Sequence, residues 1–121
     1  MTEVGSAVDT GTLDGLRESV GGDPVFLAEL IDEFLDDAPR QLGSLRACAA
    51  SGDAAGARRA AHTLKGNSRT FGAAELGSLC QEAEAAAGDG DLDVVLARVD
   101  GIDVEWARVQ TELLALRDGR A

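Results

Sequence analysis

Aromatic side chains are scarce in this chain. Tyrosine is absent, and three phenylalanines and one tryptophan supply the 3% aromatic content of 121 residues. The β-branched and aromatic runs typical of strands are missing, whereas alanine and leucine, which favour helix, are abundant. Hydrophobic residues make up 45% of the chain, enough to bury the core of one globular domain. We therefore predict an all-α domain with a core built mainly from Leu, Val and Ala.

Positive charge is also in short supply. The chain has 11 basic residues against 22 acidic ones, which gives a formal net charge of −11. Nucleic acids and anionic membrane surfaces both require clustered cations, so this balance argues against both and favours a protein partner. No apolar run approaches the ~18–20 residues of a membrane span, and the N-terminus lacks the pattern of a signal peptide. We expect a cytoplasmic protein.

Cysteine and histidine are too few for a metal site or a disulfide framework. Cys48 and Cys80 are isolated, with no second Cys or His at metal-ligand spacing, and we expect both to be reduced and buried. No glycine-rich phosphate loop precedes a predicted helix. The sequence therefore predicts neither a metal nor a cofactor, and no ATP site of its own.

Start and stop signals divide the chain into one short and four long helices. Residues 1–9 are small and polar and predict a flexible tail, and residues 10–118 predict the domain itself. The Asp23-Pro24 pair is a strong helix start, and because no stop signal precedes Pro39, we expect a kinked helix there rather than two helices. The predicted helices span about residues 13–20, 24–50, 54–70, 73–87 and 92–116. Short connections imply an up-and-down antiparallel four-helix bundle with a short additional N-terminal helix.

The third predicted helix carries the only histidine and the only lysine of the chain. At 100° per residue, Ala57, Ala60, Leu64 and Phe71 share one face. The residues expected on the opposite face are His62, Lys65, Gly66 and Arg69, with Arg58 and Arg59 one turn earlier. Four of the eleven basic residues thus form a cationic island on an acidic protein.

Each part of this group has a chemical use. A neutral imidazole offers one ring nitrogen as a nucleophile while an acceptor holds the protonated one. Lys65 could balance the charge of a phosphoryl group on His62. Gly66 exposes the backbone beside the ring, at a cost of about 1 kcal/mol relative to Ala in mid-helix.

The segment Ala61-His62-Thr63-Leu64-Lys65-Gly66, followed by Phe71-Gly72 and then Leu76, Leu79 and Glu84, resembles the histidine-containing phosphotransfer (HPt) domain family of multistep phosphorelays. The resemblance covers about residues 12–117 and implies reversible phosphoryl transfer between an aspartyl phosphate of a receiver domain and His62. It implies receiver domains of response regulators or hybrid histidine kinases as partners of a carrier that is not itself an enzyme, and we expect a monomer.

The resemblance also implies roles for further residues. Glu84 would accept the hydrogen bond of the imidazole N–H, with Gln81 as the alternative. Gly77 and Arg69 would edge the partner-docking surface, to which we also assign Arg58 and Arg59.

Three other functions are compatible with the sequence. The chain could be the phospho-accepting module of a chemotaxis-type histidine kinase, phosphorylated from ATP by a separate kinase protein. It could also be a non-phosphorylated helical interaction bundle. An acid–base enzyme using His62 and Glu84 fits least well, because such an enzyme needs a concave pocket.

Overall fold

A computed structural model describes residues 6–119, and within them the chain forms five α-helices and no strand. The helices are α1 (Thr10–Ser19), α2 (Pro24–Ser51), α3 (Ala54–Thr70), α4 (Ala74–Gly88) and α5 (Leu92–Arg117). Each long helix packs against the next one, α5 closes the bundle against α2, and α1 contacts α2 and α3. None of these helices has the length and apolar character needed to cross a membrane. The predicted all-α four-helix bundle with an additional N-terminal helix is confirmed.

Aspartate caps fix where most of the helices begin. The side chains of Asp9, Asp23, Asp53 and Asp91 each accept a hydrogen bond from a first-turn backbone N–H, which satisfies donors that the helix leaves unpaired. Pro39 lies inside α2 without ending it, in agreement with the prediction of one helix. As a result, each of the three connections between the long helices takes only two or three residues.

The few aromatic residues are concentrated at one place in the core. Phe34 stacks on Phe71 with ring centroids 4.8 Å apart and meets Trp106 edge-on at 5.2 Å. This cluster joins α2, α5 and the end of α3, and the rest of the core is aliphatic, as predicted. Cys80 is fully buried, which raises the pKa of its thiol to about 12. Cys48 is only half-buried, and both cysteines are free thiols.

The segment before α1 is anchored to the bundle. Residues 1–5 lie outside the described residues, but Ala7 and Val8 are buried. Their backbone N–H groups donate to the two carboxylate oxygens of Glu112 at 2.7 and 3.0 Å, and the Asp9 N–H donates to the carbonyl of Gly72 at 2.8 Å. The flexible tail predicted for residues 1–9 therefore does not extend over these residues, because a carboxylate on α5 satisfies their backbone donors.

Replacing Glu112 tests this anchor. Glu112→Ala removes both charge-assisted hydrogen bonds, and we expect it to lower the free energy of unfolding by about 1–3 kcal/mol. Gln110→Ala, an exposed position on the same helix, should change it by less than about 0.5 kcal/mol. Urea unfolding followed by circular dichroism measures both, and equal values for the two variants would contradict the anchor.

Candidate functional site

Small residues line the contact between α3 and α4. The buried residues of α3 include Ala57, Ala60 and Ala61, and those of α4 include Gly77, Cys80, Ala83, Ala86 and Ala87. Small side chains let two helices approach closely. Polar side chains at the edge of this contact are therefore within reach of each other.

The imidazole of His62 is held from α4. Its Nδ1 lies 2.9 Å from Oε2 of Glu84, and the His62 side chain is 68% exposed. A carboxylate only accepts hydrogen bonds, so Nδ1 carries the proton and donates it. In the neutral ring Nε2 therefore carries the lone pair, and it has no hydrogen-bond partner within residues 6–119. The arrangement presents a nucleophilic nitrogen to the solvent.

Lys65 is engaged by the same helix. Its Nζ forms an ion pair with Oε1 of Glu84 at 2.6 Å and donates to Oε1 of Gln81 at 2.9 Å. Only 14% of the Lys65 side chain is exposed, whereas the sequence placed it on the open face of α3. Of the two residues proposed to hold the imidazole, Glu84 contacts His62 and Gln81 contacts Lys65.

The Glu84 carboxylate is charged in this setting. Burial alone would raise its pKa, but the ammonium group of Lys65 and the imidazole of His62 outweigh burial, so the pKa lies below its ordinary value. A charged Glu84 is the stronger acceptor for the imidazole N–H. Its electrostatic state therefore supports the orientation of His62.

The two glycines singled out from the sequence differ in position. Gly66 is exposed, and a Cβ placed there would meet no atom within 4 Å. Gly77 is buried, and a Cβ there would lie 3.2 Å from Cγ of Arg69. The Arg69 side chain thus covers Gly77, and the place of Gly77 at the edge of the docking surface stays a prediction. Arg69 itself is exposed, as predicted.

A cleft of about 440 Å³ that was not predicted from the sequence adjoins the imidazole. Its walls are Ala55, Arg58, Arg59, His62, Thr63 and Glu84. Ala55, Arg58 and Arg59 lie one or two helical turns before His62, so their spacing could have indicated the cleft. Nothing in the sequence indicated that Thr63 also lines it. No group of three potential metal ligands occurs within the described part of the chain.

Comparison with protein families gives one assignment. The model described as Hpt domain matches residues 29–119, well over half of the chain. The chain belongs to the Hpt domain family. The crystal structure of histidine-containing phosphotransfer protein B (HptB) from Pseudomonas aeruginosa is similar, with 30% identity and a TM-score of 0.85 over 95% of this chain and 97% of that one. A comparison with curated proteins finds no match.

Membership of the Hpt family confirms the function predicted from the sequence. This Hpt domain is a histidine phosphotransfer protein of a phosphorelay, and Hpt domains act as phosphoryl carriers that interact with receiver domains. The roles of individual residues stay predictions at this point.

Removing the carboxylate from α4 tests the geometry of the site. In Glu84→Ala the imidazole loses its acceptor, and we expect the population of the Nδ1–H tautomer to fall, because the partner of one ring nitrogen sets the tautomer. Nitrogen-15 NMR of the ring measures this. Glu82→Ala, an exposed carboxylate on the same helix, should leave the tautomer unchanged. An unchanged spectrum in Glu84→Ala would show that the carboxylate does not orient the ring.

Proposed function

We propose that His62 carries the phosphoryl group of this Hpt domain, on Nε2. The observation that supports this most strongly is the hydrogen bond from Nδ1 to Glu84, which leaves Nε2 as the free nucleophile of a largely exposed ring. His62 is the only histidine of the chain.

The transfer forms one bond to phosphorus and breaks another. The Nε2 lone pair attacks the phosphorus of an aspartyl phosphate on the receiver, the bond from phosphorus to the aspartate oxygen breaks, and the aspartate leaves as a carboxylate. The ring keeps its proton on Nδ1 and becomes a phosphorylated imidazolium. Glu84, 2.9 Å away, stabilises the positive charge that develops there. The reverse reaction returns the phosphoryl group to an aspartate.

Glu84, Lys65 and Gln81 act as positioning residues in this proposal. Lys65 neutralises the second oxygen of Glu84, and Gln81 fixes the ammonium group. A carboxylate held on both sides has little freedom to turn away from the imidazole. Because one chain supplies all of these groups, a monomer suffices for the chemistry.

Phosphorylation of variants tests the assignment of His62. We expect His62→Gln to abolish labelling by a phosphorylated receiver and to change the free energy of unfolding by less than about 0.5 kcal/mol, because the side chain is exposed. The wild-type label should be acid-labile and alkali-stable, and tandem mass spectrometry should place it on Nε2. Labelling that persists in His62→Gln would refute the proposal.

The choice of donor separates two related roles. A relay protein takes the phosphoryl group from a phosphorylated receiver, whereas the module of a chemotaxis-type kinase takes it from a kinase protein with ATP. Transfer from the receiver supports the relay, and transfer only in the presence of kinase and ATP would support the kinase module.

A substitution at Gly66 tests how closely a partner approaches His62. A side chain there meets open space, so Gly66→Gln should leave stability unchanged or raise it by up to about 1 kcal/mol. A receiver that approaches over this bare backbone would be blocked, and we expect transfer from a receiver to fall at least about tenfold, equivalent to about 1.4 kcal/mol. Gly43→Gln is the matched control, since that glycine on α2 is also open. Normal transfer in Gly66→Gln would show that the partner docks elsewhere.

A further inference from the structure

Lys65 is poorly placed to balance the charge of a phosphoryl group. Its ammonium group is already bound by Glu84 and Gln81, and only 14% of its side chain is exposed. A phosphoryl group adds up to about two negative charges, next to a Glu84 carboxylate that Lys65 already neutralises. Any cation that binds the phosphoryl oxygens must therefore come from another residue.

Arg58 and Arg59 are unengaged cations in the cleft beside His62. Both line that cleft of about 440 Å³ together with His62 and Thr63. Both side chains are exposed, and neither takes part in an ion pair or hydrogen bond within residues 6–119. Arg46, in contrast, is paired with Asp100 and Asp103 on the opposite side of the bundle.

Helix geometry places these arginines one turn before the imidazole. The Cα–Cβ bonds of α3 tilt toward its N-terminus, so the His62 ring lies over the preceding turn. Arg58 and Arg59 occupy that turn and flank His62 by about 40° and 60° on either side of the helix. Arg58 also reaches toward α4, since its Nε would lie 3.8 Å from a Cβ at Gly88. Arg69 lies two turns away in the other direction.

We propose that the guanidinium groups of Arg58 and Arg59, rather than the ammonium group of Lys65, bind the phosphoryl oxygens carried on Nε2 of His62. The proposal rests on the proposed role of His62. Guanidinium groups match phosphate oxygens with paired N–H donors, and both arginines line the cleft that the His62 ring also lines. Lys65 keeps its ion pair with Glu84 in both states of the protein.

Side-chain NMR of the whole chain tests the binding directly. Labelled protein is titrated with inorganic phosphate at constant ionic strength and, in a second sample, is phosphorylated with phosphoramidate, which needs no partner protein. We expect the Nε–H signals of Arg58 and Arg59 to shift in both experiments, while those of Arg46 and the Lys65 ammonium group stay in place. Shifts of Lys65 without shifts of the two arginines would overturn the proposal.

Variants measure what the arginines contribute. At fixed phosphoramidate and ammonia, the ratio of phosphorylated to unphosphorylated protein should fall about fivefold in Arg58→Gln and in Arg59→Gln, as for loss of one exposed charge-assisted contact. Arg46→Gln removes an equal charge from the opposite side and should leave the ratio unchanged. Arg59→Lys should restore part of the loss. An equal fall in Arg46→Gln would reduce the effect to net charge and overturn the proposal.

The labelling and titration experiments distinguish a failure of the arginine proposal from a failure of the His62 assignment. Wild-type protein that phosphoramidate and a phosphorylated receiver both fail to label would refute His62 as the carrier, and the phosphate titration would still decide whether the cleft binds a phosphoryl anion. Normal labelling with unchanged ratios in both arginine variants would leave His62 in place and refute the arginines.

Discussion

The shared carboxylate of Glu84 is the interaction on which the rest of the site depends. A carboxylate that is only 13% exposed must be paired to remain charged, and both of its partners, His62 and Lys65, come from the facing helix. They are three residues apart on α3 and so lie on one face. One side chain of α4 therefore fixes the imidazole, immobilises the lysine and ties the two helices together at the reacting nitrogen.

The distribution of charge makes the surface beside His62 cationic. Arg46 and Arg117 are paired with aspartates, whereas Arg58 and Arg59 stand unpaired beside His62 within the described residues. An aspartyl phosphate is anionic, and it meets a local cationic surface on a molecule whose net charge is −11. Such local complementarity favours correct orientation of the partner, and the remaining surface repels anions that approach elsewhere.

The sequence predicted the helices and the exposed face of His62 because both depend on local signals. Aspartate caps and apolar periodicity gave the helix bounds to within a few residues, and the spacing on α3 gave the face of His62. The features that the sequence did not predict depend on contacts between residues far apart in the chain. Glu84 and Gln81 on α4 bind Lys65 and leave it largely buried. The Arg69 side chain covers Gly77. Glu112 anchors Ala7 and Val8. A helical wheel describes one helix and contains no information about its neighbour.

The exposure of the site follows from what a carrier has to do. A deep pocket would protect a phosphohistidine, but it would also bar the protein domains that must deliver and remove the phosphoryl group. On α3, binding of the phosphoryl group and access for the partner domain depend on different helical turns. The turn before His62 holds the arginines that can bind the phosphoryl oxygens, and the turn after it holds Gly66, where nothing stands above the backbone. Arg58 and Arg59 thus lie on one side of the ring along the helix and Gly66 on the other, and Glu84 from the neighbouring helix orients the ring.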